Sequence, residues 1–225
     1  MDKALVLLSG GMDSTTLLHH VVKGLGVGEV SALSFLYGQK HGRELEAAVW
    51  QARAAGVKAH DVVDMGFFGR LTAGGSALTD PAIAVPRMAD LSGPMLNQPP
   101  TYVPNRNMIL LSLAAAYAEA RGIADVFYGA QRQDRYGYWD CTPEFLERIN
   151  GVLGLNRGRG VRIHAPFIGM SKADELRLGA ELGVDYGHTW TCYRGEARPC
   201  GECPSCVERA GAFEAAGMMD PLLAS

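Results

Sequence analysis

Four cysteines crowd the C-terminal part of the chain: Cys192, Cys200, Cys203 and Cys206, spaced C-x₇-C-x₂-C-x₂-C. Thiolates at this spacing can close tetrahedrally on Zn²⁺ at about 2.3 Å, leaving no open position, which makes such a site structural. Metal binding would then be part of the tail's folding free energy. Free buried cysteines and an iron–sulfur cluster are the alternatives. At the other end, KALVLLSGGMDSTTLLHH runs an apolar stretch into Ser9, Gly10, Gly11, Met12, Asp13 and Ser14, then resumes with a helical pattern. A strand–glycine turn–helix aims backbone N–H groups and a positive helix end at one point, where an anion gains about 0.3–1 kcal/mol. Ser9, Ser14, Thr15 and Thr16 add hydroxyls. The lysine of a G-x-x-x-x-G-K-[ST] loop is missing. Instead the helix begins with Asp13, which repels a polyphosphate unless Mg²⁺ lies between them. These residues suit a pyrophosphate nest with a metal-binding aspartate; an ordinary turn capped by Asp13 is the plain alternative. Arg106 and Lys172 are candidate cations, although Lys172 near a helix start opposes the dipole unless an anion sits there.

The elements around these residues alternate. Lys3–Leu8 reads as a buried strand, Asp13 to Lys23 as a helix, and Val30–Leu36 as a strand. Gly42 to Ala55 reads as a helix ended by Gly56, and Lys58–Val63 as a strand. Such alternation predicts βαβ units and a doubly wound α/β parallel sheet. Regularity fails over 64–106, a glycine- and proline-rich segment expected to be a substrate-covering loop rather than a passive excursion. Asn107–Arg121 reads as a buried helix, Asp125–Ala130 as a strand, Pro143–Asn150 as a helix and Val161–His164 as a strand. Ser171–Leu182 reads as a helix with Ser171 as its N-cap. The expected division is a domain over 1–190 and a compact cysteine-built tail over 191–225.

The chain of 225 residues, 48% hydrophobic and 20% charged with net charge −3, has the composition of a globular protein and argues against a nonspecific nucleic-acid binder. No apolar run approaches the ~20 residues of a membrane helix, and no signal peptide precedes the first strand, so the expected compartment is the cytoplasm. Five cysteines, four of them clustered, suit a reducing compartment and a metal site.

SGGMDS resembles the SGGxDS signature of the PP-loop ATP pyrophosphatases, enzymes that cleave ATP between the α and β phosphates and adenylate an oxygen. SFLYGQKHGRE (Ser34–Glu44), TYVPNRN (Thr101–Asn107), GYWDC (Gly137–Cys141) and TCYRGEARPCGECPSC (Thr191–Cys206) follow in order. Together, from Leu5 to about Arg209, they are similar to the 7-cyano-7-deazaguanine synthases. The resemblance implies conversion of 7-carboxy-7-deazaguanine, ATP and ammonia to the nitrile through an amide, with release of AMP and pyrophosphate. It implies ATP and Mg²⁺ at Ser9, Gly10, Gly11, Met12, Asp13, Ser14 and Thr15, with Asp13, Arg106 and Lys172 catalytic. It also places the nucleotide near Phe35, Tyr37, Gln39 and His41, the last equally readable as a surface residue. The substrate would lie at Asn105, Arg106, Asn107, Asp134, Tyr138 and Asp140, zinc on the four cysteines, and the chain in a homodimer.

The departures gather at the substrate end. Asn105 stands where the family pattern has glycine, and Tyr136 and Trp139 replace serine and proline in SGYPDC, adding two aromatics beside the expected pocket. Arg132 and Arg135 add positive charge. They open an alternative: a diverged ligase that adenylates the deazaguanine acid and joins it to a protein amine, as in bacterial antiviral defence. A sulfur-inserting enzyme would need a cysteine pair, but only Cys141 is spare, and it reads more readily as structural than as a nucleophile. A zinc-ribbon binding module leaves Asp13 and the glycine turn without purpose, and an asparagine-synthetase-like amidotransferase would be expected to carry a glutaminase domain before the glycine turn, where none is read.

Overall fold

A computed structural model describes the chain apart from His41, residues 133–136, Arg159, residues 224–225 and the side chains of Leu96 and Asn97. Five parallel strands form one sheet: β1 (Lys3–Leu7), β2 (Glu29–Leu36), β3 (Ala59–Asp64), β4 (Asp125–Phe127) and β5 (Arg162–His164), in the order β3-β2-β1-β4-β5. Both neighbours of β1 pair with it in parallel register, Ala4 opposite Val30 on one side and Asp125 on the other. The strand order therefore reverses at β1, and the crevice at the carboxyl ends of β1 and β4 is where doubly wound sheets bind ligands.

The helices are α1 (Met12–His19), α2 (Arg43–Ala55), α3 (Gly66–Leu71), α4 (Pro94–Asn97), α5 (Arg106–Arg121), α6 (Pro143–Leu153), α7 (Lys172–Glu181) and α8 (Pro204–Ala216). Strand side chains alternate between faces. Ala4 and Val6 pack with residues of α1 and α2, such as Leu17, Leu18, Ala48 and Ala52. Leu5 faces the other way, onto Leu111, Ala114 and Ala118 of α5 and Phe145 of α6. Among the described residues, no helix is long and apolar enough to cross a membrane.

Several boundaries differ from expectation for visible reasons. The first helix ends in one π-helical turn, His20–Gly24. β4 stops at Phe127 rather than Ala130 because Gly129 passes close to the start of α1: a Cβ there would lie 3.3 Å from the Ser14 amide nitrogen. Ser171 caps α7 as expected, accepting from the Asp174 N–H. The segment over 64–106 is largely irregular but held. Ala77 donates to the Pro100 carbonyl (2.7 Å) and Met88 to that of Glu202 (2.7 Å), so the loop is tied to itself and to the cysteine tail.

The tail also holds a thirteen-residue helix, α8, that the cysteine spacing did not reveal. Ala212 and Phe213 of α8 bury against Met12, Leu176 and Tyr186. Its Arg209, 3% exposed, donates to both Asp220 oxygens (2.7 and 2.8 Å), to the Thr189 hydroxyl (2.7 Å) and to the Tyr186 carbonyl (3.0 Å). Breaking a buried, hydrogen-bonded pair strands the remaining charge, at a cost of about 3–5 kcal/mol. Asp220→Ala is therefore expected to lower the unfolding free energy by that amount, read as a lower urea midpoint with an unchanged slope; an unchanged midpoint would show that the pair contributes nothing.

Candidate functional site

At the carboxyl end of β1 the chain turns through Ser9, Gly10 and Gly11 into α1. Ser14 Oγ accepts from the Ser9 N–H (3.1 Å) and lies 3.0 Å from Ser9 Oγ, while Ser9 Oγ accepts from the Gly11 N–H (3.2 Å). The expected hydroxyls thus brace the turn. Gly11, not Asp13, is the N-cap, and it makes no side-chain cap hydrogen bond. That differs from the capped-turn alternative and leaves the first-turn N–H groups available to an anion.

Gly10 is fixed by its surroundings. Its φ is 88°, and a Cβ would fall on the Glu44 carbonyl oxygen and 2.6 Å from the Ala48 amide nitrogen, both in α2. Its carbonyl accepts from Trp190 N–H (3.0 Å), the lead-in to the cysteine tail. Gly10→Ala must adopt a left-handed conformation and push α2 away. We expect a loss of about 3 kcal/mol or more, and of nucleotide binding, read by thermal melting and ATP titration. A fully stable variant would contradict the packing.

A cavity of about 270 Å³ opens above the turn. Ser9, Gly11, Met12, Asp13 and Ser14 of the turn and α1 line it, with Lys172 and Glu208. Lys172 Nζ is 2.8 Å from Glu208 and 3.6 Å from Asp13. The anions expected near the α7 start are therefore these two carboxylates. Asp13 is three-quarters buried, and one of its oxygens, Oδ1, has no hydrogen-bond partner among the described residues. Burial pushes its carboxyl above the ordinary range, against the pull of Lys172. A buried carboxylate oxygen short of a partner suits a hard cation.

Tyr37, Glu44, Arg106, Tyr138 and Tyr193 line the same cavity. The Arg106 guanidinium stands 6.0 Å from the centre of the Tyr37 ring, and its Nε donates to Asn107 Oδ1 (3.3 Å). Burial works against its charge, but Tyr37, Tyr193, Tyr138 and Asp140 outweigh that and hold it cationic. Gln39 locks the turn after β2, accepting from the Tyr37 N–H (2.8 Å) and donating to the Phe35 carbonyl (3.1 Å). Phe35 and Gln39 line the cavity, as do Asn107, Cys141 and, from the long loop, Leu78.

Other expected residues fall elsewhere. Gly10 and Thr15 are buried behind the turn. Asn105 is exposed with φ 54°, at the N-cap of α5, a left-handed position that asparagine tolerates in place of the glycine of the family pattern. Asp140 sits behind Asn107 and accepts its N–H (3.1 Å). Trp139 does not enlarge the pocket wall: it packs edge-on against Phe145 and donates to the Tyr102 hydroxyl (2.9 Å), outside the cavity. His41, Asp134, Arg135 and Tyr136 lie outside the described residues. Glu44, Tyr193 and Glu208 line the cavity without having been singled out from the sequence.

The four cysteine sulfurs lie within 4.8 Å of one another. Cys192 Sγ accepts from the Cys200 N–H (3.4 Å) and Cys200 Sγ from the Cys203 N–H (3.3 Å). This donor set fits a tetrahedral thiolate-bound metal. Thr191, Tyr193, Pro204 and Ser205, which flank these cysteines, line the cavity, so the cysteine cluster backs one of its walls.

Comparison with known proteins agrees with this geometry. A sequence model described as queuosine biosynthesis protein QueC matches residues 3–217. A 7-cyano-7-deazaguanine synthase of Chromohalobacter salexigens is 49% identical over 98% of this chain and 85% of its own. That of Caldicellulosiruptor bescii is 46% identical over 98% and 96%. Among solved structures, NMN synthetase from Francisella tularensis superposes with TM-score 0.51 at 14% identity, covering 97% of this chain and 78% of that one. The U34-tRNA thiolase NcsA from Methanococcus maripaludis superposes with TM-score 0.50 at 14% identity, covering 95% of this chain and 64% of that one. At such identities these structures speak for the fold alone, a PP-loop-like parallel sheet. Turn, cavity, cysteine cluster and whole-length similarity together show that the chain belongs to the QueC family of queuosine biosynthesis proteins.

Proposed function

We propose that the protein is an ATP-dependent ligase that converts 7-carboxy-7-deazaguanine and ammonia to 7-cyano-7-deazaguanine, releasing AMP and pyrophosphate. The observation that carries this reading is one cavity lined both by an uncapped helix start with Asp13 and Lys172 and by Arg106 among tyrosines. The relatives at 46% and 49% identity bear the same activity in their names. Trp139 turned away from the cavity removes one motive for a changed acceptor. We therefore take ammonia rather than a protein amine as the nitrogen donor, in a cytoplasmic homodimer.

A carboxylate resists amination because its leaving group would be oxide. One of its oxygens attacks the α-phosphorus, the bond to the β-phosphate breaks, and pyrophosphate departs onto the N–H groups of the turn and first turn of α1. Ammonia then adds to the acyl adenylate and AMP leaves with the former carboxylate oxygen. The amide oxygen attacks a second ATP in the same way, and loss of protons and AMP gives the nitrile. Fixing acid and phosphorus in one cavity can supply about 7–11 kcal/mol. Lys172 and Arg106 offset the developing negative charge. Asp13 would hold Mg²⁺, which shields the phosphates from its carboxylate. The four cysteines would hold Zn²⁺, which supplies structure only.

Incubation with ATP, Mg²⁺ and the acid, with and without ammonium, tests the reading by mass spectrometry. Nitrile with AMP is expected. No AMP with the acid present would overturn it, and an adenylate that persists until a protein amine is added would favour conjugation.

A further inference from the structure

Three carboxylates line the cavity among the described residues: Asp13, Glu44 and Glu208. Asp13 and Glu208 share Lys172. Glu44 has no hydrogen bond and no ion pair among the described residues; the charged and titratable groups acting on it or on its neighbours are Arg106 and Tyr37. Its environment pushes its carboxyl up to about 8, burial outweighing the pull of Arg106. The half-buried Glu44 thus lines the binding cavity beside Arg106 with no donor bonded to its carboxyl among the described residues. Its main chain is set firmly, since the Glu44 carbonyl packs on Gly10 of the phosphate turn.

The chemistry of a carboxylate limits what it can meet there. In its ionised form, which Arg106 and a pair of ligand donors favour, it only accepts, through two oxygens side by side. A triphosphate is repelled. The Watson–Crick edge of adenine offers an acceptor beside its donor and matches poorly. A guanine-type edge offers two adjacent donors, the ring N1–H and the 2-amino group, and matches both oxygens. Two ribose hydroxyls are the other donor pair in the reaction's substrates.

We propose that the Glu44 carboxylate accepts the N1–H and 2-amino hydrogens of the deazaguanine acid and so selects a guanine-type base. This rests on the reading of the substrate given above. Glu44 is a specificity-determining residue: it recognises the base from the first turn of α2, beside Arg106. The tyrosines around Arg106 supply faces for the ring, and the acid group is left to reach toward the α-phosphorus.

The test is calorimetric binding of 7-carboxy-7-deazaguanine, of its analogue lacking the 2-amino group, and of ATP, to wild type and Glu44→Gln. Charge-assisted hydrogen bonds of this kind predict that wild type binds the analogue about 10²-fold more weakly, and that Glu44→Gln binds the parent acid about 10²-fold more weakly with most of the discrimination gone. ATP affinity should be unchanged. In mildly alkaline buffer the unliganded variant should melt higher than wild type, because it no longer buries an ionised acid. In acid the two should melt alike. A purely structural glutamate would give the opposite melting result. Retained discrimination in the variant, or weakened ATP binding with the acid's affinity intact, overturns the proposal. If wild type binds neither acid while ATP still binds, the substrate reading falls and the proposal with it.

Discussion

Asp13→Asn is expected to slow pyrophosphate release by about 10²–10³-fold or more, the loss that follows removal of one preorganised electrostatic group from an active site. The carboxylate is three-quarters buried at the start of α1, beside Lys172. It is held above the ordinary carboxyl range by burial, so the empty fold pays for its charge. Asparagine keeps the shape and removes the charge, and Glu208 still pairs Lys172 at 2.8 Å. The variant should therefore melt no lower than wild type. Activity and melting together separate the roles: a residue that only shapes the turn would lose both or neither. Wild-type pyrophosphate release from the asparagine variant would remove Asp13 from the chemistry.

Stripping the metal that we propose the cysteine cluster holds is expected to have the largest effect on stability. Structural zinc binds small thiolate sites with about 10–16 kcal/mol, and for a chain of this size each kcal/mol moves the melting point by about 2–4 °C. A chelator, or Cys203→Ser at a fully buried position, should lower melting by about 20 °C or more. It should also weaken ATP binding, because Thr191, Tyr193, Ser205 and Glu208 of the cavity wall are carried by the same tail. The metal content of the purified protein is the direct check. A protein free of zinc and iron that melts and binds ATP normally would contradict a structural metal.

The parts of the fold most legible in the sequence were those where local chemistry and tertiary packing agree. The apolar run before SGGMDS, the glycine ending α2 and the Ser171 cap each marked an element within a residue or two. The α8 helix was hidden because glycine, proline and cysteine dominate its approach; it forms because Pro204 occupies its first turn and Phe213 is buried on Tyr186. Glu44 lay within a recognised stretch but looked like any charge in a first helical turn; only the fold aims it into the cavity. Glu208 had no signal at all, since its partner Lys172 is 36 residues away. Trp139 misled in the other direction: its position in the motif suggested the pocket, but its indole N–H finds Tyr102 on the outside.

The central claim is that the turn after β1 grips the departing pyrophosphate, leaving the α-phosphorus open to an oxygen of the acid. Substrate carrying heavy oxygen in both carboxyl positions tests it most directly, with ammonium present and the products weighed. The account predicts one heavy oxygen in each AMP, none in pyrophosphate, and none retained in the nitrile. Unlabelled AMP, or ADP and phosphate in place of AMP and pyrophosphate, would contradict it.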